Sequence, residues 1–354
     1  MKIIIIPGDG IGPEITEATK QVLITVSKLF DLHLDMQEEI AGHESLKKYG
    51  STVTDSLLSK VKQADGLILG PMSTYDFKDE TKGEINPSKF FRKSLDLFAN
   101  IRPAKTYDGL HSPVKPFDLV VVRENTEGFY ADRNMEQGSG EILVTPDVAI
   151  SLRRITRHCC ERIAQSAFEL AQSRNKHLSI VHKANVLKIA DGMFIEVCRE
   201  VGKKFPEVRI DDFIVDAMAA LLVRDPAQFD VIVTTNMFGD ILSDLTAELS
   251  GSLGLAASVN AGTQYAMAQA AHGSAPDIAG KNLANPYSLI LSTALLLDWY
   301  TQKSGNHKYS TAAQAIRDAA GATILAKEVS KDIGGNLGTK EAGDALVKKL
   351  LELR

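Results

Sequence analysis

Residues 3–14 read IIIIPGDGIGPE. The four isoleucines, Ile3 to Ile6, form a short apolar run of the kind a buried strand shows. Gly8, Gly10 and Gly12 follow at once. Pro13 then opens an amphipathic pattern running from Glu14 to Phe30, at a position where its missing N–H costs nothing. Strand, glycine turn and helix in that order invite the dinucleotide fingerprint GxGxxG. The spacing fails it, because the third glycine would have to be residue 13, which is proline. The glycines still permit a tight strand-to-helix turn. The chain reads as α/β without a GxGxxG Rossmann site.

The same alternation continues through the chain. Leu67–Leu69, Leu119–Val122, Leu178–Val181, Phe213–Val215 and Val231–Val233 read as strands. Long helices are expected over Pro146–Ala171, Val186–Lys203, Gly239–Leu249, Pro286–Lys303 and Ala312–Glu328. Strands separated by helices argue for a largely parallel sheet covered on both faces. A length of 354 residues suggests two domains or one large α/β unit. No low-complexity linker or repeat marks a boundary. Tyr75–Pro87 reads as a mobile loop beside a site. Asp132–Glu141 reads as an exposed loop or as an inter-subunit arm.

Composition narrows the function. With 40 Lys and Arg against 45 Asp and Glu, the net charge is −5, a poor match to nucleic-acid binding. No run approaches the roughly 18 apolar residues of a membrane helix, and Ile3–Ile6 is too short for a signal-peptide core. Three cysteines do not make a disulfide framework. Cys159, Cys160 and Cys198 read as reduced, core-packed thiols of a cytoplasmic protein.

Several constellations carry chemistry. Asp240 and Asp244 are one helical turn apart, so their carboxylates share a face. They are either a solvated helix N-terminus, where acids are welcome, or ligands of a hard divalent cation such as Mg²⁺ or Mn²⁺. Asp216, directly after a strand, is a candidate third ligand. Arg92, Arg102 and Arg123 offer guanidinium forks that suit a small polyanion, carboxylate or phosphate. Lys183, at the end of Leu178–Val181, is a solvated strand terminus or a base of depressed pKa. Tyr130 is a possible proton donor. His272 to Gly280, followed by Asn285-Pro286, is a plain turn or a loop whose small residues admit a ligand.

Taken together in order, GDGIGPE, RKSLDLFANIRP, RENTEG, HKANVL, VDAMA, TTNMFGDILSD, HGSAPDIAG and GGNLGTKEA resemble one family across essentially the whole chain. It is the metal-dependent β-decarboxylating dehydrogenases, which act on isocitrate, 3-isopropylmalate, homoisocitrate, and tartrate or D-malate. The resemblance implies an isopropylmalate/isocitrate dehydrogenase-like fold of two α/β domains with a central cleft. A large domain would come from residues 1–98 plus 251–354, and a small one, with the dimer interface and metal ligands, from 99–250. It implies a homodimer or larger assembly with shared sites. Arg92, Arg102 and Arg123 would hold the α- and β-carboxylates. Asp240 and Asp244 would bind Mg²⁺ or Mn²⁺ with Asp216 of the other subunit. Lys183, also from the other subunit, would take the hydroxyl proton, and Tyr130 would protonate the enolate carbon. Asn185 would adjoin cofactor and substrate. His272, Gly273, Ser274, Ala275, Asp277, Ile278 and Asn285 would hold the adenosine end of the cofactor.

Cofactor and substrate follow from departures within the motifs. Relatives that use NADP tend to continue HGSAP with Lys-Tyr. Here Asp277-Ile278 follow, and a carboxylate repels a 2′-phosphate and accepts from a ribose hydroxyl, which indicates NAD⁺. Isopropylmalate enzymes typically read RELTGG where this chain has RENTEG at 123–128, and Asp where it has His182. Isocitrate enzymes place Ser six residues before the first arginine and Asn four before. Asn86 and Ser88 are the same two chemistries in swapped order, and Lys89 adds a cation. That polar rim puts isocitrate-like tricarboxylates first. Phe90 and Phe91 offer apolar surface, so 3-isopropylmalate stands as the alternative, with homoisocitrate and tartrate or D-malate behind it. A non-catalytic regulatory subunit is the other rival. Such subunits usually lose ligands, whereas Tyr130, Lys183, Asp216, Asp240 and Asp244 are all present.

Overall fold

A computed structural model describes residues 1–130 and 140–352. Most of Asp132–Glu141, the expected loop or arm, therefore lies outside the described residues. The chain divides into two compact units: Met1–Asp96 with Tyr107–His111 and Gly251–Arg354, and Leu97–Thr106 with Ser112–Ser250.

The first unit begins with β1 (Lys2–Ile6), α1 (Gly12–Phe30), β2 (Asp35–Glu38), α2 (His43–Tyr49), α3 (Asp55–Lys62), β3 (Gly66–Leu69) and α4 (Pro87–Ser94). The second holds β4 (Ala99–Lys105), β5 (Asp118–Glu124), β6 (Glu141–Thr145), β7 (Val148–Ser151), α5 (Arg157–Ser173), β8 (His177–His182), α6 (Ala190–Gly202), β9 (Arg209–Ile214), α7 (Val215–Arg224), β10 (Val231–Thr234) and α8 (Asn236–Leu249). The chain then returns to the first unit with β11 (Val259–Ala261), β12 (Ala266–Gln269), α9 (Tyr287–Ser304), α10 (Lys308–Leu325) and α11 (Thr339–Glu352).

Strands of the first unit run in the order β2-β1-β3-β12-β11, parallel except for the β11–β12 pair. Those of the second run β4-β5-β10-β8-β9, parallel except for β4–β5. The alternation of side chains on β5 and β10 builds two cores in the second unit. Val120, Val122, Val231 and Val233 pack on α5 and α6. Leu119, Val121 and Ile232 pack on Met218 and Leu222 of α7 and on Leu242 of α8. Both faces are buried, which is why these strands read as continuous apolar runs. Each fully buried Val or Ile there contributes on the order of 1.5–3 kcal/mol. Cys160 and Cys198 belong to the α5–α6 core, and all three cysteines are buried and free, as their core-packing reading required.

Several expected boundaries are corrected. Pro146–Ala171 is not one helix: Val148–Ser151 is a strand of the β6–β7 hairpin, and α5 starts only at Arg157. Thr156 Oγ1 accepts from Cys159 N at 3.3 Å and caps that start. The hairpin's valines and isoleucines are exposed, so their apolarity mimics a helical face without being one. Val186–Lys203 starts as a turn, in which Lys183 O accepts from Val186 N and Leu187 N, and becomes helix only at Ala190. Expected Phe213–Val215 is the end of a longer strand whose successor, Val215, already belongs to α7. The expected Ala312–Glu328 helix lies earlier, at Lys308–Leu325. Tyr75–Pro87 is a loop with a single 3₁₀ turn at Glu80–Lys82.

Candidate active site

In the second unit, strand register gathers the arginines. Asn100 of β4 stands opposite Arg123 of β5, so those side chains share a face with Arg102, two residues on. Helix α8 follows β10 and brings two acids to that face. Arg123 is buried; its Nε and Nη2 donate to Asn236 Oδ1 at 2.9 and 2.7 Å, and it is paired with Asp240. Arg102 donates to Asn100 Oδ1 (2.7 Å), Ser243 Oγ (2.8 Å) and Asp244 Oδ1 (3.0 Å). The Tyr130 hydroxyl accepts from Arg123 Nη2 at 2.9 Å and donates to Asp240 Oδ2 at 2.6 Å. A Cβ on Gly239 would lie 2.6 Å from Arg123 Cβ and Cγ, so only glycine lets α8 approach β5 this closely.

Asp240 and Asp244 thus present carboxylates from successive turns, each held by guanidinium, and Asp240 Oδ2 also accepts from the Tyr130 hydroxyl. Burial pushes the Asp244 carboxyl up, and Asp240 adds to that push, while Arg102 and Arg123 draw it back. Two hard oxygen donors on one helix face suit Mg²⁺ or Mn²⁺. Among the described residues no three His, Cys, Asp or Glu side chains cluster to hold a metal ion. One chain therefore brings Asp240 and Asp244 together but does not add Asp216.

Asp216 instead meets Lys183. The β8–β9 register sets His182 opposite Ile214, so the residues that follow each strand become neighbours. Lys183 Nζ is paired with Asp216, and that hydrogen bond holds the Asp216 carboxyl below its ordinary range. The Lys183 backbone is fixed separately, its N–H donating to Asp191 Oδ2 at 2.6 Å. Asp191 is fully buried and paired with Arg153, whose Nη2 also donates to Thr235 Oγ1 (3.0 Å) at the start of α8. Asn185 is exposed on the turn after Lys183.

The first unit carries the rest. The turn after β1 rests on the HGSAP loop: Ile11 N donates to Ser274 O at 2.9 Å, and Ser73 Oγ lies 2.9 Å from Ser274 Oγ. Gly10 has φ +59°, and a Cβ there would be 1.9 Å from Ser274 O. These glycines serve main-chain packing. In the loop itself, burial pushes the His272 imidazole below its usual pKa; its Nε2 is buried with no hydrogen-bond partner. Nothing lies within 4 Å of a Cβ placed on Gly273. An orphaned ring nitrogen beside open space fits a loop that receives a polar ligand. Asp277 is exposed and Ile278 half-buried, and Ile278 N closes a turn on Ala275 O. Asn285 is tied down, donating to Asp332 Oδ2 (2.9 Å) and accepting from Tyr287 N (2.9 Å).

Arg92 and Ser88 lie one turn apart on α4, and both donate to Gln269 Oε1 at 3.1 Å. Asn86 caps α4, accepting from Lys89 N at 3.1 Å, and Lys89 Nζ bonds Glu80 Oε1 at 2.7 Å. Phe91 is wholly buried and so contributes no pocket surface, contrary to its expected role; Phe90 is half-buried. Sequence reasoning missed Asn100, Asn236, Gly239, Ser243, Arg153, Asp191 and Gln269. Asn236 alone had a signal, four residues before Asp240 on the same helix.

The family described as isocitrate/isopropylmalate dehydrogenase matches residues 2–346. The chain belongs to that family. It is 41% identical to a 3-isopropylmalate dehydrogenase of Archaeoglobus fulgidus over 99% of both chains. It is 40% identical to a homoisocitrate dehydrogenase of Methanocaldococcus jannaschii, covering 98% of this chain and 97% of that one. A crystal structure of isocitrate dehydrogenase from Methylococcus capsulatus superposes with a TM-score of 0.87 at 36% identity, covering 99% of each. The α/β isocitrate dehydrogenase-like fold is thereby established, and this family member is a decarboxylating dehydrogenase. Isopropylmalate names among its relatives fit at least as well as the isocitrate reading that the polar rim suggested. Among the described residues no helix is long and apolar enough to cross a membrane.

Proposed function

We propose that the chain oxidises and decarboxylates 3-isopropylmalate with NAD⁺ and Mg²⁺ or Mn²⁺, as a homodimer. One observation carries the substrate: the groups expected to receive a third carboxylate are already bonded within the chain. Lys89 is paired with Glu80, the Ser88 proton goes to Gln269, and the Asn86 oxygen caps α4. Likeness to the Archaeoglobus fulgidus 3-isopropylmalate dehydrogenase supports the same choice. A tricarboxylate is the second reading, favoured by the likeness to a homoisocitrate dehydrogenase and by Lys89 on the helix of Arg92.

Arg92, Arg102 and Arg123 neutralise and orient the substrate carboxylates. Lys183 would take the proton of the hydroxyl on the carbon whose hydride a bound NAD⁺ would accept. The bond to the β-carboxylate of the resulting oxo acid then breaks, CO₂ leaves, and its electron pair stays on carbon as an enolate. Tyr130 returns a proton to that carbon, completing the 2-oxo acid. Asp240 and Asp244, with Asp216 of a second copy, would hold a divalent cation, which would supply Lewis-acid stabilisation of the developing negative charge. His272 to Ile278 and Asn285 would hold the adenosine of NAD⁺, with Asp277 as acceptor for a ribose hydroxyl, and Asn185 would lie alongside.

The dimer is supported by the hairpin, on which Ile142, Leu143, Val144, Val148 and Ile150 are all exposed. It is supported too by an acid pair that gathers no third His, Cys, Asp or Glu ligand among the described residues. Three free, buried cysteines suit a reducing cytoplasm. The test is NADH formation from 3-isopropylmalate, homoisocitrate, isocitrate, D-malate and tartrate, with Mn²⁺ or EDTA and with NAD⁺ or NADP⁺. Metal-dependent turnover that is best with 3-isopropylmalate and NAD⁺ is expected. Best turnover of a tricarboxylate overturns the substrate, and metal-independent turnover overturns the role of the acids.

A further inference from the structure

Gln269 ends β12 and is nine-tenths buried. Its backbone is pinned on both sides: N donates to Ser258 O at 3.1 Å, and O accepts from Ser292 Oγ at 3.1 Å. From that fixed base its Oε1 accepts from Ser88 Oγ and from Arg92 Nη2, each at 3.1 Å. We propose that Gln269 is a specificity-determining residue that withholds the Ser88 hydroxyl proton from a third substrate carboxylate while holding Arg92 ready for the carboxylates the substrate must have. This rests on the reading of Arg92 as a substrate-binding arginine.

A serine hydroxyl has one proton and two lone pairs. With the proton on Gln269, Ser88 offers a substrate only lone pairs. A γ-carboxylate beside them finds oxygen against oxygen, whereas an alkyl group loses nothing. The helical spacing makes the effect local, because Ser88 and Arg92 stand on one face of α4 and converge on the same atom. A neutral acceptor also matters. An amide oxygen orients the guanidinium without cancelling its charge, as a carboxylate would.

The variant Gln269→Met keeps length and shape and replaces the acceptor by a weak thioether. In the purified full-length enzyme, kcat/KM for homoisocitrate relative to 3-isopropylmalate should rise by roughly tenfold or more, the scale on which a site polar group discriminates. KM for NAD⁺ should stay within about twofold. Adding Ser88→Ala should erase the gain. A merely structural loss would lower both substrates together and leave the ratio unmoved, so an unchanged or lower ratio overturns the proposal. Gln269→Glu is the second arm: it still accepts from Ser88, so the ratio should hold while KM rises for both acids, and an unchanged KM counts against it. Calorimetric binding of the same two acids reads the same ratio. Absent turnover in the parent enzyme would therefore sink the function reading while this inference was still being decided.

Discussion

The Tyr130 hydroxyl donates to Asp240 Oδ2 at 2.6 Å. A candidate proton donor is thus bonded to a candidate metal ligand, with Arg123 donating to the same hydroxyl from the other side. Cation binding would draw on Asp240 and release the phenol proton toward substrate. Tyr130→Phe removes that proton together with the acceptor of the Arg123 Nη2 hydrogen bond. It should lower kcat by about 10²–10⁴ and leave NAD⁺ affinity unchanged. Steady-state NADH formation and NAD⁺ titration check it together, and a loss under tenfold would remove Tyr130 from the mechanism.

Gly239 is required by space. Its Cβ position is 2.6 Å from two Arg123 carbons, and Arg123 is almost wholly buried with nowhere to retreat. Gly239→Ala should push α8 from β5, costing about 1–3 kcal/mol in urea unfolding. Turnover should fall as well, since the Arg123–Asp240 contact is what moves. Unaltered stability would mean the helix adjusts freely.

Arg153 and Asp191 form a buried ion pair, flanked by Phe129 and Phe238 rings 5.7 and 5.5 Å from the guanidinium. Asp191→Ala strands a buried charge and removes the acceptor of the Lys183 N–H. It should cost about 3–5 kcal/mol, while Arg153→Met with Asp191→Leu should cost much less. Unfolding of Asp191→Leu, Arg153→Met and the double variant gives the coupling energy directly. Each variant lacking Asp191 should lose turnover, because the Lys183 backbone is released.

Acid stability should depend on Asp212. Burial alone would raise its carboxyl, but His182 Nε2 at 3.2 Å and the Arg199 guanidinium outweigh that and hold it below the ordinary range. A depressed acid binds fewer protons folded than unfolded, so its stabilisation is complete above the unfolded value, about 3.9, and fades as pH falls through the folded value. Asp212→Asn should therefore be less stable than wild type at pH 7, and the gap should close as pH drops below about 4. A gap that widens in acid would reverse the assignment. The carboxylate is a third exposed, so solvent screens part of this attraction.

The doubly covered strands were legible because burial on both faces leaves an uninterrupted apolar run, as at Leu119–Val122. The hairpin was not, because Val148 and Ile150 are apolar yet exposed, and periodicity cannot tell an exposed apolar face from a face on a core. Lys183 and Asp216 were each legible as residues after a strand. Their meeting depends on parallel register, which no local pattern encodes. Asn100 shows the same limit: alone it is a polar residue in a strand, and only the antiparallel pairing with β5 sets it opposite Arg123. Gln269 was hidden for a related reason, its partners lying 177 and 181 residues away.

The separation of Lys183 and Asp216 from the Tyr130, Arg123 and Asp240 group has a genetic consequence. If each working centre takes one group from each chain, a chain carrying Lys183→Ala and a chain carrying Tyr130→Phe are both dead alone. Refolded together they should give mixed pairs in which one centre collects both lesions and the other collects none. Two null alleles of this gene would then complement each other, and the activity recovered per mixed pair should approach half that of the parent.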